Sequence, residues 1–160
     1  MFDFLSVTDV ARSLHLAGMA MGLGLAICAD WLVFTKLFRP ITLADVDKLR
    51  WMHRAIQIGL AVLWASGLTI LWLRTGFDVD QFTPKLMVKL FVVTILTVNA
   101  LAIGGAALSS IDSMVGQRLG AMDLRTRFFA SIIMGVSVFC WMSALALGVF
   151  TRLRDMDFAG

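Results

Sequence analysis

Residues 11–34 read ARSLHLAGMAMGLGLAICADWLVF, an apolar run whose only charges are Arg12 near its start and Asp30 towards its end. A helix needs about 20 such residues to cross a hydrocarbon core, so this stretch is the first transmembrane span. Runs of the same character follow at 50–73, 85–108 and 127–150. They predict an all-α fold, a four-transmembrane-helix antiparallel bundle in which short connections set each helix beside the next. The 160 residues are 59% hydrophobic and 16% charged, with a mean hydropathy of +0.86. That balance excludes an ordinary soluble domain and suits one membrane domain over 1–160.

The segments between the runs agree with this threading. Residues 1–10 form a short amphipathic lead with Asp3 and Asp9 and no basic n-region, so no cleavable signal is expected. Trp31 and Lys36 suit the membrane boundary, and Arg39-Pro40 ends the first helix. Thr42 caps a short interfacial turn, with Asp45 as its capping-box partner. The second span opens with Trp51, His53 and Arg54 and closes with Trp72 and Arg74, and a polar turn follows at 75–83. Pro84 stands where a helix start tolerates a missing amide hydrogen. Residues 109–126 form an amphipathic connection, and Arg152 and Arg154 end the fourth span.

One side of this threading holds Lys36, Arg39, Lys48, Arg50, Arg54, Arg118, Arg125 and Arg127. The other holds Arg12, Arg74, Lys85, Lys89, Arg152 and Arg154. The bias places both termini outside the cytoplasm. A net charge of +3 without a basic tail or Lys/Arg cluster anchors loops and gives no reason to expect nucleic-acid binding. Cys28 and Cys140 lie inside apolar runs, where a free thiol behaves as a small hydrophobe.

Ionisable groups inside hydrocarbon are costly and mark functional sites or helix contacts. His15 is the first such group. On a helix it shares a stripe with Ala11, Gly18, Gly22 and Ala26, narrow enough for a neighbouring helix or a flat ligand to approach closely. His15 and Lys89 each lie a few residues into spans that start at the same face, so they share a membrane half. Asp30 lies 15 residues beyond His15, about 22 Å deeper at 1.5 Å per residue. There it pairs with His53 or Arg54. Asn99 is either glue between helices or part of a polar track with Asp30 and His53.

An imidazole beside a glycine stripe suits axial ligation of haem b, with His15 as the iron ligand, Gly18 and Gly22 as the slot, and Met19 one turn on as a thioether. The same Gly-x-x-x-Gly spacing equally suits a close helix crossing. Met19, Met21 and His15 also have the softness for Cu(I), although Met19 and Met21 point to different sides of a helix. No nucleophile elbow or Ser/His/Asp set is present.

Leu14-His15 with Gly18 and Gly22, Ser66-Gly67-Leu68 at the close of the second span, and Pro84-Lys85-Leu86-Met87-Val88-Lys89-Leu90 at the start of the third carry a resemblance. Over about its first two thirds the chain resembles the HemJ-type protoporphyrinogen IX oxidases and the related small bacterial membrane proteins of CopD-like pattern. The resemblance implies a multi-pass protein of the bacterial inner membrane, a haem b held by His15, and an essential catalytic lysine at Lys89. It also implies electron transfer from a porphyrinogen or quinol. Two other classes compete with this reading. One is a non-catalytic accessory subunit of a larger respiratory or photosynthetic complex, or a homo-oligomer, packed in the lipid bilayer. The other is a small proton- or ion-conducting protein using Asp30 and His53.

Overall fold

The computed structural model describes residues 6–156, apart from the side chains of 106, 107, 109 and 149–156. The chain order is α1 (Val7–Lys36), α2 (Leu43–Thr75), α3 (Pro84–Ala102), a π-helical segment (Ile103–Ala107), α4 (Leu108–Asp112) and α5 (Leu124–Met156). Short 3-10 turns interrupt the connections at Val79–Gln81 and Leu119–Ala121. Among the described residues, four helical stretches are long and apolar enough to cross a membrane: Val7–Lys36, Leu43–Thr75, Pro84–Asp112 and Leu124–Gly148. The protein is a multi-pass membrane protein with an all-α four-helix bundle.

The helices outrun their expected apolar limits because their ends are capped by polar residues. Ser6 accepts from the Asp9 amide at the start of α1, so residues 7–10 belong to the helix; residues 1–5 of the expected lead lie outside the described residues. Thr42 and Asp45 form a complete capping box. It starts α2 itself, two turns before the span expected at 50–73. Pro84 occupies the first turn of α3 behind the Thr83 cap, as expected. Gly76, in the left-handed region at φ 59°, returns its amide to the Trp72 carbonyl and stops α2.

The third span is expected to run unbroken over 85–108. Its α-helical ladder instead ends at Ala102, widens into the π segment and resumes as α4 to Asp112. The expected connection therefore begins only after Asp112. The backbone of α5 continues to Met156, beyond the expected 150; the side chains of Arg152 and Arg154 lie outside the described residues.

Packing is uneven. The contact between α1 and α2 is the most extensive in the molecule, α3 and α5 form a second pair, and the pairs meet chiefly where α1 touches α5 and α2 touches α4. The crossing of α1 and α2 is a glycine contact. A Cβ on Gly18 would stand 2.9 Å from the Gly59 carbonyl oxygen, and one on Gly59 would stand 3.1 Å from the Gly18 oxygen. Trp141 of α5, 1% exposed, packs its six-membered ring against Gly22 of α1, where a Cβ would collide with Cη2. Leu60, Leu63, Leu96, Ala100 and Cys140 complete this central core, with Met19 packed on its margin. Cys140 thus fills the packing role expected of it, whereas Cys28 is exposed.

A second, smaller core of Ile41, Val46, Leu49 and Leu119 closes the end where α1 finishes and α2 starts. Backbone bonds hold two loops together over it: Ile41 donates to Gln117 and Gly116 donates to Ile41, both at 2.9 Å. Lys36 Nζ and Asp45 Oδ2 pair at 2.7 Å, largely shielded, while the Arg50–Asp112 pair is open to solvent. At the start of α5 the Asp123 carboxylate accepts from the Thr126 amide at 2.9 Å. Hydrogen bonds from the Thr126 side chain and amide hold the Asp123 carboxyl below its ordinary value of 3.8. A carboxyl depressed on folding stabilises the fold above its unfolded value, and that contribution is lost as pH falls through the lower folded value. Protection of the Thr126 amide, measured against its intrinsic exchange rate at each pH, should therefore fall on acidification below about pH 4, and Asp123→Ala should show the low protection throughout.

Candidate functional site

The two ends of the bundle hold different polar groups. At the end where α1 and α3 start and α2 finishes, the His15 ring lies over Gly67: a Cβ there would be 3.3 Å from Cε1. His15 Nδ1 is 3.0 Å from Ser66 Oγ. The Ser66 hydroxyl donates to the Val62 carbonyl at 2.6 Å, so its oxygen accepts and Nδ1 carries the imidazole proton. This tautomer follows from the bonding network and leaves the lone pair on Nε2. Lys89 of α3 lies within electrostatic range of the ring. His15 and Lys89 therefore share one membrane half.

Ser66 is the residue that the sequence reading left without a role at His15. The antiparallel crossing identifies it: with Gly18 against Gly59, moving back along α1 towards His15 means moving forward along α2 to residues 62–67.

Gly18, Gly22 and Met19 do not extend this site into a slot. The space above Gly18 belongs to Gly59 and Val62, and that above Gly22 to the Trp141 indole; Met19 packs on the central core. Of the two meanings of the Gly-x-x-x-Gly spacing, the close helix crossing is the one built. A haem on His15 thus has a donor nitrogen of the right tautomer, with its other nitrogen anchored as metal-bound imidazoles usually are. The glycine stripe offers a macrocycle no room. No group of three or more His, Cys, Asp or Glu able to hold a metal ion occurs among the described residues.

At the opposite end, Asp30 of α1 and His53 of α2 line one cavity of about 190 Å³ between the helix pairs. The pairing expected for Asp30 is absent. Asp30 Oδ2 and His53 Nε2 are both buried without a hydrogen-bond partner. Arg54 is exposed and lines a separate polar recess of about 510 Å³ with Arg50, Gln57 and Asp112. The shielded ion pair of this region is Lys36–Asp45 instead, because the capping box already holds Asp45 at the boundary that Lys36 reaches. His53 is 8% exposed and rests against Gly104 of the π segment, where a Cβ would meet Nε2 at 2.8 Å.

His53 lines both the inner cavity and the polar recess. Asn99 stands apart from both. Its Nδ2 donates to the Ile133 carbonyl of α5 at 3.1 Å, which makes it a bridge between α3 and α5. A second bridge, Trp64 Nε1 to Thr97 Oγ1 at 2.9 Å, joins α2 to α3. Compared with protein-family models, curated proteins and solved structures, the chain matches none.

Proposed function

We propose that this chain is an integral membrane haem b protein of HemJ-like type, with His15 as the axial donor and Lys89 as the cation beside it. The observation that supports this reading is the Ser66 anchor, which leaves the His15 lone pair on Nε2, where an iron ligand needs it. Haem on His15, which would have to lie away from the filled glycine stripe, would supply one-electron chemistry with a lipid-soluble donor such as a porphyrinogen or quinol. The chain's own residues have simpler tasks. Ser66 fixes the ring's orientation and proton, Gly67 lets the ring lie close to α2, and Lys89 offers an ammonium to a propionate or an acidic substrate. On this reading the protein would reside in the bacterial inner membrane.

The test is the reduced-minus-oxidised visible spectrum of the full chain purified in mild detergent. A b-type Soret band that His15→Ala removes and Ser66→Ala alters is the expected result. A Soret band unchanged in His15→Ala, or no band at all, rejects the assignment.

A second reading, a non-catalytic subunit of a larger membrane assembly, is favoured by the outward aromatic faces. Trp31, Trp51, Phe91 and Phe139 are all more than 60% exposed. Such faces suit either lipid or a neighbouring helix. Purification as part of a stoichiometric complex without a haem band would support this reading instead.

A further inference from the structure

Buried polar atoms without partners are rare and call for an explanation, most of all within a membrane, where no water competes for them. Asp30 and His53 each have such an atom, come from different helices and line the same cavity. The rest of the wall is mostly apolar, including Leu60, Leu96, Ala100 and Trp141, with Thr126, Arg127, Ser131 and Ser137 among its polar members. A wall of this kind with a few convergent polar groups is the usual form of a small-molecule site.

We infer that this cavity binds the one-ring head group of a lipid-soluble phenol or hydroquinone, with Asp30 and His53 holding its hydroxyl. The size sets the ring count. At about 190 Å³ the cavity is below the roughly 300–1,000 Å³ of pockets that enclose drug-sized ligands, so it takes a head group and leaves any tail outside. Exposed Phe129 and Arg127 of α5 also line it, and they mark the side on which a tail reaches lipid.

A hydroxyl is the head-group chemistry that fits both partners, because it donates and accepts. It satisfies a carboxylate or a carboxylic acid, and either imidazole tautomer. A bare hydrocarbon leaves both polar groups unsatisfied. The head group's orientation follows from His53, the one ionisable residue on both the cavity and the polar recess. The hydroxyl lies at the recess end, near the membrane boundary, and the ring points inward towards Trp141. The site is separate from His15 and does not depend on haem.

The experiment is calorimetric titration of the full chain in detergent micelles with tetramethylhydroquinone, and in parallel with its dimethyl ether. Both probes partition into micelles, but the ether has no hydroxyl hydrogen. Saturable one-to-one binding of the hydroquinone, with the ether at least tenfold weaker, is expected. Asp30→Asn and His53→Phe should each lower hydroquinone affinity at least tenfold, and Ala130→Leu, which fills the cavity, should abolish binding.

Equal binding of the two probes overturns the inference on the unmodified protein alone, whatever the variants do. So does non-saturable uptake, or unchanged affinity in Asp30→Asn and His53→Phe. The haem spectrum, if present, should be unaltered in the Asp30 and His53 variants, so the two proposals fail separately.

Discussion

Gly22→Ala should lower the stability of the bundle in detergent by about 1–3 kcal/mol, the usual cost of forcing a methyl group into a filled core. The added carbon would fall onto Cη2 of Trp141, a ring 1% exposed that could yield only by shifting towards the cavity it lines. Trp141→Ala should cost about 3 kcal/mol, the low end for loss of a large buried aromatic. The low end applies because lipid is as apolar as the core, so the loss is mainly one of packing contacts. The two effects must be coupled. In a Trp141→Leu background Gly22→Ala should cost little, since the atoms it strikes are gone. A double-mutant cycle from unfolding in mixed micelles measures this. Strict additivity would mean that the indole does not rest on Gly22.

Asp45→Ala should cost a further large amount, about 3 kcal/mol, because one carboxylate oxygen serves three partners. Oδ2 accepts from the Thr42 amide at 2.9 Å and from the Thr42 hydroxyl at 2.6 Å, and pairs with Lys36 at 2.7 Å. Both side chains of the ion pair are little exposed, 15% for Lys36 and 12% for Asp45, so removal of one strands the other. Arg50→Ala is the control. Its pair with Asp112 has side chains 45% and 38% exposed, and exposed pairs contribute at most about 1 kcal/mol. Unfolding free energies that rank Arg50→Ala at or above Asp45→Ala would contradict this assignment.

Much of the architecture was legible because membrane insertion imposes a coarse rule: four long apolar runs must become four helices. The Thr42–Asp45 box and Pro84 were legible too, since each is a local signal acting within one turn. The first two turns of α2 were not legible as part of the span, because Asp45, Asp47 and Lys48 interrupt the apolar pattern while the helix continues along the interface. The π segment was hidden for a different reason. Ile103-Gly104-Gly105 reads as an ordinary continuation, and the partner that needs the missing Cβ at Gly104, His53, lies opposite on another helix.

At the functional residues, depth was readable and azimuth was not. Counting along the helices put His15 with Lys89, and Asp30 with His53 or Arg54. It could not reveal that Ser66 bonds His15, that Trp141 covers Gly22, or that Asp30 faces a cavity instead of a cation. Those outcomes depend on how each helix is rotated about its axis, and in this chain the rotation is fixed by glycine contacts between helices distant in sequence.

The unequal pairing of the helices bears on how the protein is made. The α1–α2 hairpin is complete, with its Gly18–Gly59 crossing and its Thr42–Asp45 lock, once Thr75 has left the ribosome. It needs nothing from the second half of the chain to form these contacts. Asp30 and His53 then wait with one flank open to lipid until α3 and α5 are released by the insertion machinery and Trp141 settles on Gly22. The cavity, whose wall draws on all four spans, exists only once the second half has joined that hairpin.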